Sequence, residues 1–180
     1  MRRAFRLAGA PVPPGLPAHA LLWLVLAFVL NLLWEIAQAR LYAIWTEAAP
    51  LGVAWALLHC SIGDAMIALT MFALAGIALR RADWPVSRPW SGGAIVVMGS
   101  MAYTVWSEWH NVYRAGNWAY AASMPLIFGI GLSPLLQWLL LPPLLVAAHR
   151  ALGPALFGWR NPRATPSAFA PAKSRKEKPA

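Results

Sequence analysis

Charge is what this chain has least of. Charged residues make up only 12% of its 180 positions, with six acids among them, whereas a soluble domain carries about 25%. That shortage argues against an ordinary water-soluble globule. A hydrophobic content of 59% and a mean hydropathy of +0.53 place the chain in the membrane class instead. Cysteine is nearly missing too. The lone Cys60 rules out an internal disulfide and any two-cysteine relay within one chain. The net charge of +9 does not make nucleic acid an expected partner. Most basic residues sit in loops and tails beside apolar segments, where they set topology.

What the chain does have is four long apolar runs, at about 18–42, 51–79, 94–113 and 124–148. Each is long enough to cross a bilayer as a helix. The expected fold is therefore an all-α integral membrane protein, a bundle of four transmembrane helices over residues 18–150. Residues 1–17 form a Pro-rich tail whose prolines oppose a helix, and residues 151–180 a basic tail expected to be disordered. Pro134 and the pair Pro142-Pro143 fall inside the fourth run. Prolines at depth are tolerated where neighbouring helices satisfy the freed carbonyls. A cleaved signal peptide ending at Ala37-Gln38-Ala39 is disfavoured, because the positive region lies too far from the apolar core.

Thirteen of the fifteen basic residues fall in the N-terminal tail, the C-terminal tail counted from Arg150, and the loop holding Arg80, Arg81 and Arg88; the other two loops hold only Arg40 and Arg114. The positive-inside rule then puts both termini in the cytoplasm. Eleven tryptophans supply rings for the interfacial belts.

Acids inside the runs are the most informative residues. Glu35, Asp64 and Glu108 lie in the first three. An ionisable group at such depth costs several kcal/mol and needs a partner or a job. With this topology all three fall in one layer, in the half nearer the outer surface. At 100° per residue, Asn31, Glu35, Gln38 and Tyr42 occupy a stripe about 60° wide. Ser100, Thr104, Ser107, Glu108 and Asn111 share a sector about 100° wide, and Gly129, Ser133 and Gln137 one about 80° wide. Cys60 and Asp64 share a face, while His59 points elsewhere. Three polar stripes in an apolar bundle imply a common interior turned away from lipid.

Two uses of these acids stay open at this stage. Glu35 and Glu108 pair with Arg40 and Arg114 near the outer interface, or they form a carboxylate pair in a desolvated pocket that trades a proton. Asp64, in mid-span, tunes that pair or acts as a second donor. Asn31, Gln38, Asn111 and Gln137 are candidate positioning groups, and Trp34, Trp106 and Trp138 a candidate aromatic wall able to stabilise a cationic ligand or intermediate. His59 and His110 are the weak alternative as metal ligands, since the spacing contains no Glu-x-x-His or His-x3-His. The sequence implies no cofactor.

Asn31-x3-Glu35 in the first run, Asp64 in the second and Trp138-Leu139-Leu140-Leu141-Pro142 in the last resemble the emopamil-binding-protein-like (EXPERA) family. That family includes sterol isomerases and lipid-trafficking proteins with four spans and cytoplasmic termini. The likeness covers the architecture of about residues 20–150. The isomerases have histidine where this chain has Asn31, and asparagine where it has Leu135. The chain is also similar to small four-span proteins of the bacterial inner membrane.

Three functions follow as expectations. The first is a pocket in the outer half of the bilayer that binds a hydrophobic small molecule, a lipid or an isoprenoid, with isomerisation or hydration by proton transfer as its chemistry. The second is a carrier or chaperone for a cation, proton or metal, using the same carboxylates and His59. The third is a structural or assembly subunit whose acids pair with a membrane-protein partner or with a second copy of the chain. Whether any reaction is catalysed stays open in the sequence.

Overall fold

The computed structural model describes residues 15–157. The expected tail segments 1–14 and 158–180 lie outside the described residues. Four long helices dominate: α1 (Leu16–Gln38), α3 (Pro50–Leu79), α5 (Pro89–Trp109) and α6 (Leu132–Phe157), with short helices α2 (Ile44–Glu47) and α4 (Trp84–Ser87) between them. α1 packs on α3 and α6, and α5 packs on α3 and α6, so the four close a ring. Three helices, Leu16–Leu41, Pro50–Leu79 and Leu132–Leu156, are long and apolar enough to cross a membrane. The protein is thus all-α in its long elements, with the character of a membrane protein. Its outward faces carry Leu21, Leu33, Leu51, Met66, Ile77, Met98 and Leu140, all exposed. An apolar surface of that extent marks contact with something other than water.

The helix ends correct several expected boundaries. α1 begins at Leu16 and includes Pro17, because a proline in the first turn lacks only an amide that would have no helical partner anyway. α3 stops at Arg80, which takes a left-handed conformation (φ 53°). Arg81 N then bonds back to Gly76 O at 2.9 Å, closing the last turn. α5 ends four residues before the expected Tyr113 and widens into a π-turn over His110–Ala115, closed by Gly116 at φ 66°. The largest departure is the fourth run. Residues 124–131 are not helical: β1 (Leu126–Ile127) and β2 (Ile130–Gly131) form a small antiparallel hairpin around Phe128 and Gly129, both at positive φ. α6 starts only at Leu132 and continues to Phe157, past the expected end at 148. Gly129 and Ser133 therefore do not share a helical stripe with Gln137.

One end of the ring is closed by aromatic packing. Trp23, Phe72 and Trp84 meet with centroids 5.2–5.6 Å apart. Each buried indole N–H finds a backbone acceptor, Trp23 Nε1 on Ala68 O and Trp84 Nε1 on Phe72 O, both at 3.0 Å. That removes the penalty of burying a polar N–H. Gly92 lets α5 lie against the Trp84 ring; a Cβ there would sit 1.9 Å from Cε3. Gly92→Ala should therefore lower stability by at least about 2 kcal/mol despite the better helix propensity of alanine, read as a drop in the thermal midpoint of the detergent-solubilised protein. Gly93→Ala, whose added methyl would lie 3.9 Å from Val146, should be neutral or mildly stabilising.

Candidate functional site

At the other end of the ring the packing is polar. The C-terminal half of α1, the N-terminal half of α3, the C-terminal half of α5 and the start of α6 surround a cavity of about 590 Å³. α1 supplies Glu35 and Gln38, α3 supplies Cys60 and Asp64, α5 supplies Thr104 and Glu108, and α6 supplies Gln137 and Trp138. The alternating direction of the helices causes this. An acid late in α1, one early in α3 and one late in α5 reach the same level of the ring.

Gln137 is the hub. It is buried, and its amide nitrogen donates to Asn31 Oδ1 at 2.8 Å and to Asp64 Oδ2 at 2.7 Å, while its oxygen accepts from Gln38 Nε2 at 3.4 Å. Gln38 Nε2 also donates to Glu35 Oε1 at 2.7 Å, and Gln38 Oε1 accepts from Trp34 Nε1 at 3.2 Å. Asn31 Nδ2 is spent on Ala27 O at 2.8 Å. Glu35 and Asp64 are thereby joined through Gln38 and Gln137. Buried polar groups on three helices are thus satisfied within one network.

Glu108 stands apart with a different set of donors. Its Oε2 accepts from Tyr120 OH at 2.6 Å and from Trp118 Nε1 at 3.5 Å, and its Oε1 accepts from Tyr42 OH at 3.4 Å. These donors come from segments outside the four helices. Residues 41–43 and 119–121 pair as a short antiparallel strip, with Ala43 N on Ala119 O and Ala121 N on Leu41 O, each at 2.9 Å. This strip caps the cavity at its outer end. Tyr120 OH also accepts from Gly131 N at 3.0 Å, tying the hairpin to the cap. Burial pushes the Tyr42 phenol above its ordinary range, and burial followed by the bond to Glu108 does the same for Tyr120. Both therefore remain proton donors at neutral pH.

The structure brings together Glu35, Asp64, Glu108, Gln38, Asn111, Gln137 and Trp138 on the cavity wall, and sets Asn31 one bond behind it. It corrects the expected aromatic wall. Trp34 faces Gln38 from outside the cavity, and Trp106 is exposed and stacked on His110. Trp55 and Trp118 line the cavity in their place, beside Trp138. The expected pairing of Glu35 with Arg40 and Glu108 with Arg114 is corrected as well. Arg40 lies over the Trp45 ring and Arg114 over the Trp109 ring, and the ion pair found among the described residues is Arg81–Asp83 at 3.9 Å. Glu35 and Asp64 share the Gln38–Gln137 network, whereas Glu108 has its own set of donors. His59 and Asp64 both line the cavity, whereas His110 is exposed and stacked on Trp106. Among the described residues no group of three or more histidine, cysteine or acidic side chains is arranged to hold a metal ion.

Tyr42, Trp118 and Tyr120 were not among the candidate residues. Tyr42 lay on the first polar stripe, which was the available signal. Trp118 and Tyr120 sit in a loop where no periodicity marks them. No family model, no curated protein and no solved structure matches this chain.

Proposed function

We propose that the protein is a four-span membrane protein of the bacterial inner membrane, with both termini cytoplasmic, whose outer-half cavity binds a hydrophobic small molecule, a lipid or isoprenoid, and exchanges a proton with it. α5 belongs with the other spans on this reading: its 21 residues extend about 31 Å, enough for the hydrocarbon core. The observation that carries the proposal is the cavity itself. Three carboxyl groups from three helices line one apolar-walled space of about 590 Å³, each held by specific hydrogen bonds. Acids kept merely for structure have no reason to surround an open volume.

The two acid environments suit opposite halves of a proton transfer. On this reading Glu35 gives the proton, and Asp64, tied to it through Gln38 and Gln137, tunes it. Glu108, fixed by Tyr120, Tyr42 and Trp118, is an oriented acceptor. A proton delivered to one carbon of a double bond leaves positive charge on the other; loss of a proton to Glu108 from the next carbon beyond shifts the double bond, and return of that proton from Glu108 to the donor closes the cycle with no net proton consumed. The Trp138 ring on the wall stabilises positive charge between the two steps. The same site fits simple binding if the ligand lacks a reactive double bond. The metal-carrier alternative draws no support from a cluster of three or more histidine, cysteine or acidic side chains among the described residues, and the assembly-subunit alternative is weakened because the acids find partners inside the chain.

The test is native mass spectrometry of gently solubilised protein. Wild type should retain a lipophilic molecule of defined mass, and Glu35→Gln and Glu108→Gln should each reduce its occupancy or its conversion at least about tenfold. Unchanged occupancy and conversion in both variants, with intact folding by circular dichroism, would overturn the proposal.

A further inference from the structure

The cavity is capped at one end and has a gap along its side. Its outer end lies under the strip formed by residues 41–43 and 119–121, with Tyr42 and Trp118 on its wall. Its inner end is filled by Trp138 and the aromatic core beyond. Between α3 and α5 the situation differs. The helices touch where Gly99 meets Met71, so closely that a Cβ on Gly99 would lie 2.5 Å from Sδ. Beyond that contact, toward the cap, both contribute cavity wall. α3 presents His59, Gly63 and Ile67, and α5 presents Tyr103 and Ser107. His59, Gly63 and Tyr103 are also exposed. A residue that lines a cavity and faces outward marks its mouth. At Gly63 a Cβ would meet nothing within 4 Å, so this glycine is not kept for close helix packing. It leaves space.

The charge of the lining narrows what passes. Glu35, Asp64 and Glu108 share the wall, and among the described residues that line it there is no lysine or arginine. An anionic head would meet carboxyl groups with no cation to offset them in a medium of low dielectric. Phosphate- and carboxylate-headed lipids are therefore excluded, and a hydroxyl or amine head is accepted.

We propose that the ligand enters from the bilayer through the gap between α3 and α5 at Gly63, and that it is a single-chain amphiphile without negative charge, its head among the carboxyls and its tail in the gap. This inference rests on the pocket reading above and adds the route and the ligand class.

The experiment uses the full chain in lipid nanodiscs and the lone thiol, Cys60, which lines the cavity one turn from Gly63. Modification by a long-chain N-alkylmaleimide, which partitions into lipid, should be at least about tenfold faster than by a charged, water-soluble thiosulfonate once each is scaled to free thiol in the same disc. Gly63→Trp should slow the lipid-borne reaction about tenfold or more, whereas Gly63→Ala should leave it unchanged. Dodecylamine and dodecanol should protect Cys60, and dodecanoate at pH 7 should protect at least about tenfold less. Equal labelling of wild type and a folded Gly63→Trp, or faster labelling from water, would overturn the route. Equal protection by dodecanoate would overturn the ligand class. If Cys60 reacts through the gap yet none of the three amphiphiles protects it, the pocket reading falls along with the ligand class.

Discussion

Gln137→Leu is expected to cost about 2–5 kcal/mol of stability, the largest loss of any single polar substitution in the ring. Leucine matches the volume and suits the helix, so the cost falls on the partners left behind. Asn31 Oδ1 loses its donor, Asp64 Oδ2 loses a 2.7 Å bond, and Gln38 Nε2 loses one of two acceptors. An unsatisfied buried polar group costs roughly 1–3 kcal/mol. Interhelical hydrogen bonds inside membranes average nearer 0.6 kcal/mol, because the separated helices also find partners. Three losses of about 0.6–1.7 kcal/mol each, the average and maximum inside membranes, give the stated range, provided they are close to additive. Two features of Gln137 favour the upper part. It is almost fully buried, at 2% exposure, and no neighbouring side chain duplicates its reach across the ring. The measurement is the unfolding midpoint in a detergent–denaturant titration, with Leu136→Gln as a control for composition. A loss below about 0.5 kcal/mol would mean that the polar network does not hold the helices together.

The parts of this site that were legible in the sequence are those that follow helix geometry. Glu35, Gln38 and Asn31 repeat with the helical period, and the structure keeps them on one buried face of α1. Ser100, Thr104 and Glu108 do the same on α5. Periodicity finds a face but not its partner. It gave no way to learn that Gln137 joins Asp64 to the Glu35–Gln38 side of the cavity, because a helix wheel contains no interhelical distance. The tryptophans show the same limit. Trp34 is adjacent in sequence to Glu35, and that adjacency rotates it about 100° away from the cavity, whereas Trp118 arrives from a loop. The hairpin was illegible for another reason. Met124–Gly131 is apolar enough to read as helix, and what ends the helix there is turn chemistry, with Gly129 at φ 83° and the Tyr113 hydroxyl bonded to its carbonyl at 2.6 Å. Hydropathy registers neither.

Removal of both phenols of the cap, Tyr42→Phe with Tyr120→Phe, is expected to have the second large effect, and it separates position from charge. Glu108 keeps its carboxylate in this variant but loses a 2.6 Å and a 3.4 Å hydrogen bond, retaining only the long contact to Trp118. Gly131 N also loses its acceptor. Hydrogen bonds to a charged group contribute roughly 1.5–3 kcal/mol, so any proton transfer that depends on an oriented Glu108 should slow about tenfold to a hundredfold. Ligand retention should change much less. The alkaline limb of stability gives an independent readout. Both phenols titrate above their unfolded value in the folded chain, because burial disfavours the phenolate. Their contribution is complete below about pH 10, the value of a free tyrosine, and is lost as pH rises from there through the folded-state values. Wild type should therefore lose stability above about pH 10 more steeply than the double variant, which lacks those protons. Identical alkaline slopes for the two proteins would show that the phenols are solvated in the native state, and the cap would then not seal the outer end of the cavity.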